Sequence, residues 1–392
     1  MNIRTFTKFV SVLIVFTLIV GLSACDQIGQ LLLPASPQME RLKGEIRIGL
    51  SLPLTGRFVA AFGYLPTQQG FELAREEINN SDLLGDAKIT FITEDDRGTV
   101  EGAVEAFNKL IHQAGVPAIL GPGLSSQALA VFPIAQQNRV VAFSPNSGAS
   151  GLSALGDFAF RAALTTDVLI PSGIKATQAK LGYQSAATIY DESDLYSTDS
   201  DVVARIAFAA NSVEVLTTET FQTGETDFST QLTRIKGSNP DAIFISALSP
   251  DISAILIQAR QLGIPDSVPF IIPDLPNNEI QAAGDAAEGV ITFTGWTSTA
   301  DTPGNQAFIQ NYRTKYSIEP NIFAAQSYAA VHILIAAIAA AQSTDPTAIR
   351  DALANTKNFD TVLGQFSFDA VGDAVYDPVI LIVENGEFQI FK

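Results

Sequence analysis

The sequence predicts an α/β protein of two similar units in tandem, each a parallel sheet covered by helices on both faces. Three observations carry this. Apolar strand patterns alternate with helical periods from Glu45 to Ala114, and the same alternation starts again after Arg161. Two apolar strands, ending near Leu120 and Phe143, run into polar loops rich in Gly, Ser and Pro. With 392 residues, 47% of them hydrophobic and 16% charged, the chain is long enough for two full cores.

The first strand, over 45–52, alternates through Ile46, Ile48, Leu50 and Leu52, and a loop over 53–63 follows. A helix over 67–79 carries Phe71, Ala74 and Ile78 on one face, a strand covers 88–94, and a helix over 99–114 carries Val100, Val104, Phe107 and Ile111. Residues 119–150 then read as a strand end, the turn Gly121-Pro122-Gly123, a helix opening on Ser125 and Ser126, and a strand over 140–143 stopping at Ser144-Pro145. In open parallel sheets ligands sit outside the carboxyl ends of strands. Glycines permit close approach, serines offer hydroxyls and a helix start offers unpaired N–H groups, a combination suited to an anion. Taken alone, Gly121-Pro122-Gly123 reads better as only a tight turn, and its position between strand and helix brings the ligand-binding reading level with it.

The second unit expects helices over 167–181, 201–210, 228–236 and 251–262, and strands over 185–190, 213–221, 242–246, 270–272 and 290–294. Helices over 304–316 and 324–341 return to cover the first unit, the latter through a small-residue stripe of Ala329, Ala330, Ile333, Ala337 and Ala340. The chain ends in a hairpin around Asn385-Gly386.

Residues 1–25 read as a targeting segment, with Arg4 and Lys8 before an apolar run over 9–22. Leu22-Ser23-Ala24-Cys25 resembles the lipobox of bacterial lipoproteins, which makes Cys25, the only cysteine, the expected lipidation site. Residues 26–43 read as a tether, so the protein is expected outside the cytoplasm, lipid-anchored to a bacterial membrane at its periplasmic face. A net charge of −18, from 23 Lys and Arg against 41 Asp and Glu, argues against nucleic acid. His112 and His332 read as structural, and Asp95 and Asp96 as a solvated strand end capping the next helix. No catalytic triad, metal site or dinucleotide fingerprint is found, so no enzyme activity and no cofactor are expected.

The ordered set of motifs resembles the type I periplasmic solute-binding proteins, in particular the leucine/isoleucine/valine-binding branch that serves ABC importers. It comprises Pro53-Leu54-Thr55-Gly56, 69–74 (Gln-Gly-Phe-Glu-Leu-Ala), Glu94-Asp95-Asp96, Leu120-Gly121-Pro122 with Ser125-Ser126, Phe143-Ser144-Pro145, 227–230, Gly289-Val290, and 364–369 with Gly372-Asp373. The resemblance implies two Rossmann-like lobes joined by three crossings, near Thr165, Gly295 and 369–373, and closing on a ligand by a hinge. Lobe I would take 44–165 and 295–370, and lobe II 166–294 and 371–392. It also implies that Ser125 and Ser126 contact a ligand carboxylate, that Asn146, Ser147 and Gly148 hold an α-amino acid, and that Asp274 pairs with its ammonium. Phe62, Tyr196 and Leu248 would wall the side-chain pocket. Two positions depart from the family: Gly148 stands where a hydroxyl is usual and Leu248 where an aromatic is common. From the residues alone, Tyr196 either closes a polar loop or faces the ligand, and Trp296 either lines the cleft or packs the hinge. The implied function is capture of a branched-chain or related small amino acid for an ABC permease and its ATPase. Urea, short amides or aromatic acids are the alternative ligands, and a signalling protein the alternative partner.

Overall fold

A computed structural model describes residues 42–59 and 65–392. Cys25 and Phe62 lie outside the described residues. Strand β1 (Glu45–Leu52) alternates exposed and buried side chains over its first residues and is buried from Ile48 onward, where helices cover both of its faces. The chain continues through α1 (Pro66–Asn79), β2 (Lys88–Asp95), α2 (Val100–Lys109), a π-helical turn (Leu110–Ala114), β3 (Ala118–Leu120), α3 (Ser125–Asn138), β4 (Val141–Ser144) and β5 (Ala159–Arg161). These strands form one parallel sheet in the order β2-β1-β3-β4-β5. Three residues are too few to show a period, and β5 was not expected from the sequence. Thr99, whose hydroxyl accepts from the Gly102 N–H at 3.0 Å, caps α2 in place of Asp95 or Asp96. Asp96 is instead buried, accepting from Ser51 Oγ and the Gly98 N–H, each at 2.9 Å.

The second series is α4 (Thr166–Leu181), β6 (Ser185–Asp191), α5 (Leu195–Ala210), β7 (Glu214–Phe221), α6 (Ser229–Ser238), β8 (Ala242–Ser246), α7 (Asp251–Gln261), β9 (Phe270–Pro273), α8 (Asn277–Ala283) and β10 (Ile291–Thr294). Then come α9 (Asn305–Tyr316), α10 (Ile322–Ala341), α11 (Pro346–Ala354), a small antiparallel sheet of β11 (Phe359–Thr361), β12 (Gly364–Phe368) and β13 (Ala374–Val375), and the hairpin β14 (Val379–Glu384) and β15 (Glu387–Ile390). The second sheet runs β15-β14-β10-β9-β8-β6-β7, parallel from β10 to β7 and closed at one edge by the antiparallel hairpin. Asn385 and Gly386 both take positive φ, +56° and +75°, as a two-residue hairpin turn requires.

Helix α10 is long and apolar enough to cross a membrane by composition alone, yet most of it is buried in the core. It packs against α1 so closely that a β-carbon on Gly70 would stand 2.3 Å from the Ala324 carbonyl oxygen. Of the expected small-residue stripe, Ala329, Ala330, Ile333 and Ala337 are buried there, while Ala340 faces solvent. Three stretches join the two sheets: from Arg161 to Ser185, after Thr294, and before Val379. Every strand that supplies the site described next presents its carboxyl end to the gap between the sheets.

Candidate functional site

Strand register sets the site. Leu120 pairs with Phe143 across β3 and β4, so the loops after these strands leave the sheet side by side. They are tied together: Ser144 Oγ donates to the Pro122 carbonyl at 2.6 Å, the Ser147 N–H to Ser144 Oγ at 3.1 Å, and the Ala149 N–H to Ser125 Oγ at 3.2 Å. Asn146 is fixed by a bond from its Nδ2 to Gln326 Oε1 (2.8 Å) and by Thr67 Oγ1 donating to its Oδ1 (3.3 Å). Helix α3 starts with Leu124 at its N-cap, a residue whose side chain cannot satisfy the first-turn amides. In the other sheet, Tyr190 of β6 pairs with Ser246 of β8, and Phe244 of β8 with Ile271 of β9, which brings their trailing loops to the same edge.

Between the two sets of loops lies a cavity of about 470 Å³, counting the solvent at its mouth. One wall has Gly123, Leu124, Ser125, Asn146 and Phe323; the other has Asp194, Tyr196, Ala247 to Ser249, Ile252, Pro273, Asp274 and Pro276. Of the residues expected from the sequence, Ser125, Asn146, Tyr196, Leu248 and Asp274 therefore meet around one space. Ser126 sits half-buried in the first turn of α3, and Ser147 and Gly148 are buried behind the rim. Trp296 does not line the cavity: it packs on Phe308 and donates from Nε1 to Asn305 Oδ1 at 2.8 Å, beside the strand that leaves the second sheet.

Asp274 follows β9 with a positive φ of +50°, in the left-handed region that Asp tolerates better than most residues. Its carboxylate keeps some surface toward the cavity while lying deep between the sheets, and Tyr196 Oη donates to its Oδ2 at 3.3 Å. Burial pushes its pKa up to about 7, although the Thr294 and Tyr196 hydroxyls draw it partly back. Burial likewise raises the Tyr196 hydroxyl well above its usual value, and the Asp274 charge adds to this. Asp194 caps α5, accepting from the Ser197 N–H (2.8 Å) and Oγ (2.9 Å), and burial lifts its pKa to about 6 against those bonds. The cap starts α5 at Leu195, six residues ahead of the expected 201, which puts Tyr196 in a helix rather than a loop. The extra turns, Tyr196 to Ser200, lack an apolar period, so the sequence pattern missed them.

Gly148 and Tyr196 touch across the cleft: a β-carbon on Gly148 would stand 3.0 Å from Tyr196 Cε2. The ring thus fills the space where a hydroxyl-bearing side chain would begin. Sequence reasoning did not name Asp194, Ser249, Ile252, Pro276 or Phe323 as site residues. The first four follow the carboxyl ends of β6, β8 and β9 and could have been found by extending the strand-end rule to the second unit; Phe323, from the start of α10, has no local signal.

The profile of the family described as Periplasmic binding protein matches residues 45–382. The chain belongs to the periplasmic binding protein family. This periplasmic binding protein is thus an exported solute binder rather than an enzyme. It is similar to the Leu/Ile/Val-binding protein homolog 2 of Brucella abortus (strain 2308), 27% identical over 357 residues that make up 89% of this chain and 94% of the relative. Among solved structures it resembles the leucine-binding protein of Thermotoga maritima MSB8, with a TM-score of 0.82 and 29% identity over 88% of this chain and 98% of that one. It also resembles the branched-chain amino acid transporter substrate-binding protein of Streptococcus pneumoniae str. Canada MDR_19A in complex with isoleucine, with a TM-score of 0.81 and 28% identity over 88% and 98%. These matches fit the two-lobe fold with its cleft between lobes.

Proposed function

We propose that this binding protein captures an α-amino acid with a small apolar side chain, branched-chain or related, for an ABC permease and its ATPase. The observation that carries the reading is the opposition of charge across the cavity, with an uncapped helix start and Ser125 on one wall and Asp274 on the other. A zwitterion has its two charges on one carbon and fits such a pair of walls. The ligand carboxylate would lie at Ser125, Ser126 and the loop of Asn146, Ser147 and Gly148, where the helix dipole favours an anion. The ammonium would lie at Asp274, whose carboxylate gains in strength from its low-dielectric setting. Tyr196, Leu248 and, in the first loop, Phe62 would bound the side-chain space. The names of the Brucella, Thermotoga and Streptococcus proteins support this ligand class.

The same reading assigns lobe I to 44–165 and 295–370 and lobe II to 166–294 and 371–392, with lipid on Cys25 holding the protein to the membrane after removal of residues 1–24. Mass spectrometry of the membrane-extracted protein checks the lipid: an unmodified Cys25 would overturn that part alone.

A thermal-shift screen of the detergent-solubilised full chain against the twenty amino acids, urea, short amides and aromatic acids tests the ligand class. A ligand that binds only the folded state stabilises it by RT ln(1 + [L]/Kd), about 2.7 kcal/mol at 100 times Kd. Leucine, isoleucine or valine should raise the melting temperature clearly. Response to amides or aromatic acids, with silence from every amino acid, would keep the receptor and discard the amino-acid ligand. The bare Gly148, with the Tyr196 ring against it, is the feature that would favour that outcome.

A further inference from the structure

We propose that Arg161 is the positioning residue of the ligand loop: anchored by Asp373, it holds the carbonyls on both sides of Gly148 and thereby aims the Gly148 N–H at the ligand's anionic end. The inference rests on the reading of the cavity as a site for a carboxylate-bearing solute. Arg161 ends β5 and is 0% exposed, an unusual fate for a guanidinium, which is costly to bury unless its charge is paired and its donors are used. The charge is paired, and Nε and Nη1 both donate hydrogen bonds. Nη2 lies 2.6 Å from the Asp373 carboxylate, and Nε donates to Asp373 Oδ1 at 2.8 Å and to Ser153 Oγ at 3.0 Å. Nη1 donates to the Ser147 carbonyl at 3.3 Å and to the Ala149 carbonyl.

The peptide plane turns these bonds into an orientation. In a trans peptide the carbonyl and the following N–H point opposite ways, and the cis bonds among the described residues are confined to Gly121-Pro122 and Ser249-Pro250. With the Ser147 carbonyl turned to Arg161, the Gly148 N–H faces away from it. With the Ala149 carbonyl turned to Arg161, the Ser150 N–H faces away too, and that one reaches Asp199 Oδ2 of α5 at 2.9 Å across the cleft. The neighbouring groups are taken: the Ser147 N–H by Ser144 Oγ, the Ala149 N–H by Ser125 Oγ, and the Gly148 carbonyl by the Thr166 N–H at 2.9 Å. Among the described residues the Gly148 N–H alone of residues 147 to 150 has no protein partner, and buried amides rarely go without one. Asp373 lies in the segment that leads into β14 of the second sheet, so the loop's orientation is tied to a stretch joining the sheets.

The test uses the detergent-solubilised full chain carrying carbonyl-13C serine and 15N glycine. The sequence has only three Ser-Gly pairs, at Gly148, Gly151 and Gly173, so the Gly148 amide can be followed selectively. In the wild type, leucine should move the Gly148 amide resonance downfield. Arg161→Lys, which keeps the charge but loses the fork, should bind leucine about tenfold more weakly, the scale of one charge-assisted bond, and lose most of that shift. Asp373→Asn should do the same to a smaller degree, and decides the matter where Arg161→Lys does not fold. A folded variant with wild-type affinity and an unchanged Gly148 shift overturns the inference. If the wild type ignores every amino acid but binds another carboxylate, the amino-acid reading fails, and the same Gly148 readout with that carboxylate still decides the role of Arg161.

Discussion

At the scale of the residue, Asp274 combines a position facing the cavity with a pKa near 7, far above the 3.8 of an ordinary aspartate, because burial disfavours its charged form. The ligand-free folded state therefore binds a proton that the unfolded chain has already released between these two values. This contribution to stability is fully present below about 3.8 and is lost as pH rises through about 7. A ligand ammonium reverses the balance, since it needs the charged carboxylate. Leucine should thus raise the melting temperature more at pH 8 than at pH 5.5, and Asp274→Asn should both weaken leucine binding by at least ~2 kcal/mol at pH 8 and flatten its pH dependence. Titration calorimetry across this range checks both. An unchanged affinity in the variant would place the ammonium elsewhere. Nothing local marks Asp274 in the sequence, where it stands as a loop acid between Pro273 and Pro276; only its family resemblance singled it out, because its depth is a product of tertiary structure. Arg161 was legible in a weaker sense, as a charge inside the apolar run Ala159 to Leu164, but its partner Asp373 lies more than two hundred residues away.

At the scale of the element, local signals located best what local physics fixes. The Gly121-Pro122-Gly123 turn, the start of α3 at Ser125 and the Asn385-Gly386 hairpin all lie where the sequence put them. The starts of α5 and α11 were misread or missed, and each is set by an aspartate cap, Asp194 and Asp345; the first turns of α5 carry little apolar periodicity, whereas α11 is a short helix whose apolar face rests on Ile349 and Leu353. The α5 cap has a second consequence, because it fixes the turn that carries Tyr196 to the cavity. Asp194→Ala should cost about 1 kcal/mol in denaturant unfolding, the usual worth of a cap, and weaken the ligand through Tyr196. Asparagine caps nearly as well, so Asp194→Asn should restore most of the stability. Equal losses in the two variants would mean that the carboxylate charge, rather than the cap, supports the helix.

At the scale of the whole molecule, the two walls of the cavity are in contact in this conformation, and the contacts form rings of different strength. Gly148 meets Tyr196, Ser150 bonds Asp199, and at the rim Arg57, in the loop after β1, pairs with Asp251 at the start of α7. The rim pair is asymmetric. Asp251 is almost buried, its pKa raised by burial and pulled back by Arg57, while the Arg57 side chain keeps about a third of its surface in solvent. Such a pair is worth on the order of 1 kcal/mol, and salt screens it. Because its partners belong to different sheets, it forms only when the cleft is shut, so its energy should appear in ligand release rather than in the first encounter. Arg57→Ala should speed release about fivefold in stopped-flow displacement while leaving association nearly unchanged, and raising the salt concentration should bring the wild type toward the variant. An identical release rate would show that the pair outlasts opening, which would make the loop after β1 travel with the second sheet.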